Sequence, residues 1–146
     1  MTDRVRSKGK GMKGGRAMAF QPRVLLVDDD PDFVEATKAI LEAKPYEVIV
    51  AYDGKEGLEK ARKENPRVII LDVMMPPPDG YAVCSELKRD PNLCKIPILL
   101  LTAVMQAVPH TLYTIDMGLR TEADDYIDKP VEPTELVRRV EALISG

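Results

Sequence analysis

The sequence predicts a doubly wound α/β domain built on a parallel five-stranded sheet. Three observations carry that prediction. Short apolar runs recur along the chain from Arg23 onward, amphipathic segments of helical period separate them, and turn or capping residues stand at the joints. Strands that alternate with helices need right-handed crossovers, and these place helices on both faces of a parallel sheet.

The runs are Val24–Val27, Val48–Ala51, Val68–Leu71, Ile98–Leu101 and Tyr126–Ile127. Four are β-rich and read as buried strands. The fifth is short and is placed by the pattern of the others. Asp30 caps the first predicted helix, with Pro31 at its first position. Phe33, Ala36 and Ile40 fall on one face of it, flanked by Val34 and Leu41. Asp53 caps a second helix that carries Leu58 and Ala61. Val83 and Leu87 mark a third, after an Asp79-Gly80 turn. Leu112, Ile115 and Leu119 mark a fourth. Pro133 opens the fifth, on which Leu136, Val140 and Leu143 lie.

A chain of 146 residues, 45% of them hydrophobic, has the length of one domain and enough apolar material for a core. No apolar run approaches a membrane span, and the polar N-terminus shows no secretory signal. Cys84 and Cys94 have neither metal-ligand spacing nor a disulfide framework, which suits a reduced, cytoplasmic protein. The net charge of −3 is unevenly spread. Six of the 21 basic residues and one of the 24 acidic ones fall within residues 1–19, which leaves 15 and 23 for the remainder, a net of −8. Residues 1–21 are therefore expected to be a flexible basic tail, and residues 22–146 the folded domain. A basic tail could touch nucleic acid or an acidic partner. The plainer reading is a solvated extension, an expression remnant or an upstream start codon, with Met18 a candidate native start.

Parallel sheets of this kind hold ligands beyond the carboxyl ends of their strands. Strand one ends in Asp28, Asp29 and Asp30, strand three in Asp72 and strand four in Thr102, and strand five runs into Lys129-Pro130. Taken singly, each has a plain explanation. Acids after a strand cap helices, Asp72 could begin a loop, Thr102 could cap the next helix, and Lys129 could be a surface lysine. Their convergence on one sheet edge favours a site. Clustered carboxylates must protonate, spread apart or bind a cation. An oxygen-only donor set favours a hard cation, Mg²⁺ first and Mn²⁺ as a possibility. A lysine and a hydroxyl beside such a set suit phosphoryl transfer, whose catalysis is mostly positioning and charge neutralisation.

The motifs Val24-Leu-Leu-Val-Asp28-Asp29-Asp30-Pro31, Leu71-Asp72-Val-Met-Met-Pro76 with Asp79-Gly80, Leu101-Thr102-Ala103 and Ala123-Asp-Asp-Tyr126-Ile-Asp-Lys129-Pro130 resemble those of two-component response-regulator receiver domains, over about residues 22–145. The resemblance implies a flavodoxin-like (βα)5 fold with strand order 2-1-3-4-5. It implies that Asp72 is the phosphoacceptor, and that Asp28, Asp29, Asp72 and the backbone carbonyl of Met74 hold Mg²⁺. Lys129 would pair with phosphoryl oxygens and precede a cis bond to Pro130. Thr102 would donate its hydroxyl to the phosphoryl group, and Tyr126 would be the aromatic switch. Asp30 is left to its helix cap. Lys129 is expected to have no buried structural partner, so that its loss would leave stability nearly unchanged or raise it.

Relative to the family, the stretch from Thr102 to Lys129 is a few residues longer, with the extra material around Leu119–Glu122. That is the region through which receivers meet partners. Met74 and Val104 sit near the site and are apolar, so neither can orient a water by hydrogen bonding. The triple proline Pro76–Pro78 should stiffen the loop beside the site.

The resulting expectation is a phosphorylation-dependent switch that takes its phosphoryl group from a sensor histidine kinase or phosphotransfer protein. It would catalyse its own phosphoryl transfer and dephosphorylation without being a conventional enzyme. Output would run through the surface of helix four, strand five and helix five to a protein target, with no DNA-binding domain and no membrane contact. The chain would be a monomer or a phosphorylation-linked homodimer. A phosphorelay intermediate and a nucleic-acid binder acting through the tail are alternatives. A haloacid-dehalogenase-type phosphatase needs a second acid where Met74 stands. A dinucleotide-binding enzyme needs glycines where the acids follow strand one.

Overall fold

The computed structural model describes residues 21–102 and 123–146. The tail to residue 20, Val104, the fourth predicted helix with Leu112, Ile115 and Leu119, and the stretch Leu119–Glu122 lie outside the described residues. The strands are β1 (Arg23–Val27), β2 (Glu47–Ala51), β3 (Val68–Asp72), β4 (Ile98–Thr102) and β5 (Asp125–Asp128). The helices among the described residues are α1 (Pro31–Glu42), α2 (Gly54–Glu64), α3 (Gly80–Arg89) and α4 (Pro133–Ser145), the last being the fifth that the sequence predicts. The sheet is parallel, in the order β2-β1-β3-β4-β5. This is the flavodoxin-like arrangement expected.

Alternation along each strand divides the core into two layers. Leu25, Val27, Ile69, Leu71, Ile98 and Leu100 face α2 and α3, where Leu58, Ala61, Val83 and Leu87 cover them. Val24, Leu26, Ile70, Leu99 and Leu101 face the other way, against Val34 and Leu41 of α1 and Leu136 and Val140 of α4. With both faces covered, β1, β3 and β4 read as unbroken apolar runs rather than as alternating ones.

The predicted inner face of α1 needs correction. Val34, Thr37 and Leu41 are its buried residues, while Ala36 is exposed and Phe33 and Ile40 are half-buried. Thr37 is polar and so left no mark in a hydrophobic pattern, yet it occupies the spacing that joins Val34 to Leu41. The capping predictions hold. The Asp30 carboxylate accepts from the backbone N–H groups of Asp32 and Phe33, and Asp53 from Glu56 at 2.7 Å. Asp79 is more than a turn residue, since it caps α3 by accepting from the Ala82 N–H at 2.9 Å. Immediately after it, Gly80 lies so close to the end of β3 that a β-carbon there would strike the Asp72 carbonyl oxygen and come within 2.6 Å of the Val73 Cα. The loop after Asp72 is thereby folded tightly back on its own strand.

Candidate functional site

The chain crosses from one side of β1 to the other between β2 and β3, so the carboxyl ends of β1 and β3 flank the switch point of the sheet. Asp28 directly follows β1, and Asp72 ends β3. Asp28 is fully buried and Asp72 nearly so, at 0% and 3% exposure, whereas Asp29 faces solvent. One carboxylate oxygen from each of Asp28, Asp29 and Asp72 lies within 4.8 Å of the others. Among the described residues this is the one such grouping, and neither histidine nor cysteine joins it. Cys84 and Cys94 are free thiols elsewhere.

Lys129 reaches into this cluster from the end of β5. Its Nζ donates to Asp28 Oδ2 at 2.9 Å and lies 3.3 Å from Asp72 Oδ1. The other Asp28 oxygen accepts from the Asp30 N–H at 3.0 Å, and Asp72 Oδ1 accepts a long bond from the Met74 N–H at 3.4 Å. Burial, and then the charge of Asp28, push the Asp72 carboxyl up to about 6 against the pull of Lys129. Burial alone would depress the Lys129 ammonium, but its bond to Asp28 and the charge of Asp72 outweigh that and hold it above its ordinary value. The expectation that Lys129 lacks a buried partner is therefore corrected. A buried carboxylate needs donors, and Lys129 is the charged donor of the two that Asp28 has, beside the Asp30 N–H. Phe33 supplies a contact that the sequence did not suggest: the ammonium sits 4.5 Å from the centre of its ring. Phe33 reads as a core residue of α1, but three residues past Asp30 it stands in the first turn, beside the site.

Thr102 and Tyr126 lie on the other side of the strand ends. Thr102 pairs with Asp128 across β4 and β5, and Leu100 pairs with Tyr126, so all four side chains project from one face. The Thr102 hydroxyl donates to Asp128 Oδ1 at 2.7 Å, and the Lys129 N–H donates to the Thr102 carbonyl. Tyr126 is 40% exposed. Partial burial, and then Cys84, Tyr81 and Asp124, raise its phenol above the ordinary value. Met74 is half-exposed beside Asp72. The Lys129-Pro130 bond is cis, as expected, and so is Pro77-Pro78.

Residues 24–141 match the response regulator receiver domain. The chain belongs to that family. Over 123 residues this receiver is 40% identical to the DNA-binding dual master transcriptional regulator RpaA of Synechocystis, a match that covers 84% of this chain and 49% of RpaA. Among solved structures it resembles the signal receiver domain of a signal transduction histidine kinase from Syntrophus aciditrophicus, at 36% identity and a TM-score of 0.78, covering 86% of this chain and 91% of that one. It also resembles the receiver domain of the sensor histidine kinase PA1611 from Pseudomonas aeruginosa PAO1, at 27% identity and a TM-score of 0.76, covering 87% and 100% of the two chains. That structure carries a magnesium ion coordinated in its active-site cleft. The chain spans about half the length of the curated relatives it matches, and the expected absence of a DNA-binding domain finds no support in them. No helix among the described residues is long and apolar enough to cross a membrane.

Proposed function

We propose that this receiver is a phosphorylation-dependent signalling switch in which Asp72 takes a phosphoryl group from a histidine kinase or a phosphotransfer protein. The observation that carries the reading is the buried Asp72 carboxylate grouped with Asp28 and Asp29, with the Lys129 ammonium reaching both Asp28 and Asp72. An Asp72 oxygen attacks phosphorus, the bond from phosphorus to the donor nitrogen breaks, and an acyl phosphate forms. Water later attacks that phosphorus, the bond from phosphorus to the Asp72 oxygen breaks, and inorganic phosphate leaves as the carboxylate is regenerated.

The donor set fits a hard divalent cation, since it is all oxygen and carries more negative charge than Lys129 offsets. Asp28, Asp29, Asp72 and the Met74 carbonyl would hold it, and Mg²⁺, or Mn²⁺ in its place, would neutralise charge on the phosphoryl oxygens. Lys129 pairs with a phosphoryl oxygen, exchanging part of its present contact with the two acids. Thr102 turns its hydroxyl to a second oxygen, and Tyr126 follows into the space this leaves. The surface of the fourth predicted helix, β5 and α4 is then remodelled for a downstream protein. The receiver acts in the cytoplasm, as a domain over residues 22–146 with a basic tail before it.

The test is incubation with a small phosphodonor and Mg²⁺, followed by intact-mass measurement. The wild-type chain should gain one phosphoryl group, and Asp72→Asn should gain none while keeping its fold. A gain in Asp72→Asn, or none in the wild type, would refute the assignment.

A further inference from the structure

We propose that Asp128 is a positioning residue that holds the Thr102 hydroxyl away from the phosphoryl site and so sets how readily the receiver switches. The inference rests on the phosphoacceptor reading and adds a restraint to it. The Thr102 hydroxyl has one proton, and a hydroxyl donates to one acceptor at a time. In this structure the proton goes to Asp128 Oδ1 at 2.7 Å, a short bond to a carboxylate. Thr102 itself is buried at 8% exposure, so little water competes for that proton. The pairing is built into the sheet: Thr102 and Asp128 are opposite one another in the β4–β5 register, and the Lys129 N–H clamps the Thr102 carbonyl.

A phosphoryl oxygen on Asp72 and the Asp128 carboxylate are therefore rivals for one donor. The active arrangement forms when the Thr102–Asp128 bond breaks, and Asp128 stabilises the inactive partner of that equilibrium. Because Asp128 is solvent-exposed, the released carboxylate is rehydrated at little cost, which keeps the restraint weak enough to be overcome. A restraint of this size moves a two-state equilibrium by a modest factor, about fivefold. Asp128 touches neither Asp72 nor the acids of β1 in the described contacts, so its action on the site runs through Thr102.

The test is a double-mutant cycle read by affinity for beryllofluoride, a phosphoryl mimic, at fixed Mg²⁺, with amide and methyl NMR as the readout. Asp128→Ala should bind beryllofluoride about fivefold more tightly than the wild type. Asp128→Asn keeps an acceptor without the charge and should fall between the two. In a Thr102→Val background, which removes the hydroxyl but keeps the shape, Asp128→Ala should change the affinity little. Before any beryllofluoride is added, Asp128→Ala should already move the Thr102 methyl resonance. If the wild type binds but Asp128→Ala binds no better, or gains as much in the Thr102→Val background, the restraint is overturned and the phosphoacceptor reading stands. A wild-type chain that does not bind beryllofluoride removes both.

Discussion

Asp28 has no exposed surface, and each of its oxygens already has a donor in Lys129 Nζ and the Asp30 N–H. Removing Lys129 strands a buried charge, so Lys129→Ala should lower stability in urea unfolding of the metal-free protein, by roughly 1–3 kcal/mol. Unchanged stability would mean that Asp28 finds another donor. Asp72 works in the opposite direction. Its folded value of about 6 lies above its ordinary 3.8. Between these values the native chain binds more of its proton than the unfolded chain does, so stability falls as pH rises. The stabilising difference is fully present below about pH 4 and is lost as pH passes about 6. Asp72→Asn should abolish this slope and raise the melting temperature at pH 7 in the absence of divalent metal. Thermal melts of both proteins from pH 4 to pH 8 check it, and parallel curves would contradict it. Asp28, Asp72 and Thr102 could be read because apolar runs stop at them, Asp29 because it extends the acidic run, and Lys129 because it lies two residues past the fifth run. Phe33 and Asp128 were not, because a cation–ring contact and a cross-strand pair depend on partners in distant segments of the chain.

At the scale of elements, Lys88 ties the end of α3 to the segments that lead into β4 and β5. Lys88 Nζ donates to Asp124 Oδ2 at 2.9 Å and to the carbonyls of Ile96 at 3.2 Å and Cys94 at 3.3 Å. Asp124 Oδ2 also accepts from the Ile98 N–H at the start of β4. The Lys88 side chain is 10% exposed, so replacing it leaves carbonyls without a donor. Lys88→Met keeps the methylenes and should cost about 2 kcal/mol, with faster amide exchange at Ile98 in hydrogen-exchange measurements. Protection equal to wild type would show that the ammonium is dispensable. Nothing local in Glu86-Leu-Lys88-Arg89 distinguishes this lysine from its solvated neighbours, since its partners belong to other segments. By contrast Asp30, Asp53 and Pro133 could be read directly, because capping is local chemistry. The α1 face was misassigned for the related reason that burial of Thr37 is a tertiary outcome with no local signature.

For the whole molecule, a parallel sheet covered on both faces followed from the alternation of strands and helices, with β1, β3 and β4 as continuous apolar runs, whereas the strand order, and with it the switch point, came with the resemblance to receiver domains. If Thr102 and Tyr126 carry the signal outward, beryllofluoride with Mg²⁺ should shift amide resonances from about Thr102 to Val137, Tyr126 included, rather than those of the metal site alone. Confinement to Asp28, Asp29 and Asp72 would remove the proposed output route. The switch as a whole depends on where the phosphoryl group goes. An aspartyl phosphate is an acyl phosphate, which borohydride reduces to an alcohol. Treating the chain with a small phosphodonor and Mg²⁺, reducing it and mapping its peptides should place homoserine at position 72 and at no other aspartate, and chelation of the metal should abolish it. Homoserine at Asp28 or Asp29, or an unmodified position 72 in a chain that has gained a phosphoryl group, would contradict Asp72 as the phosphoacceptor.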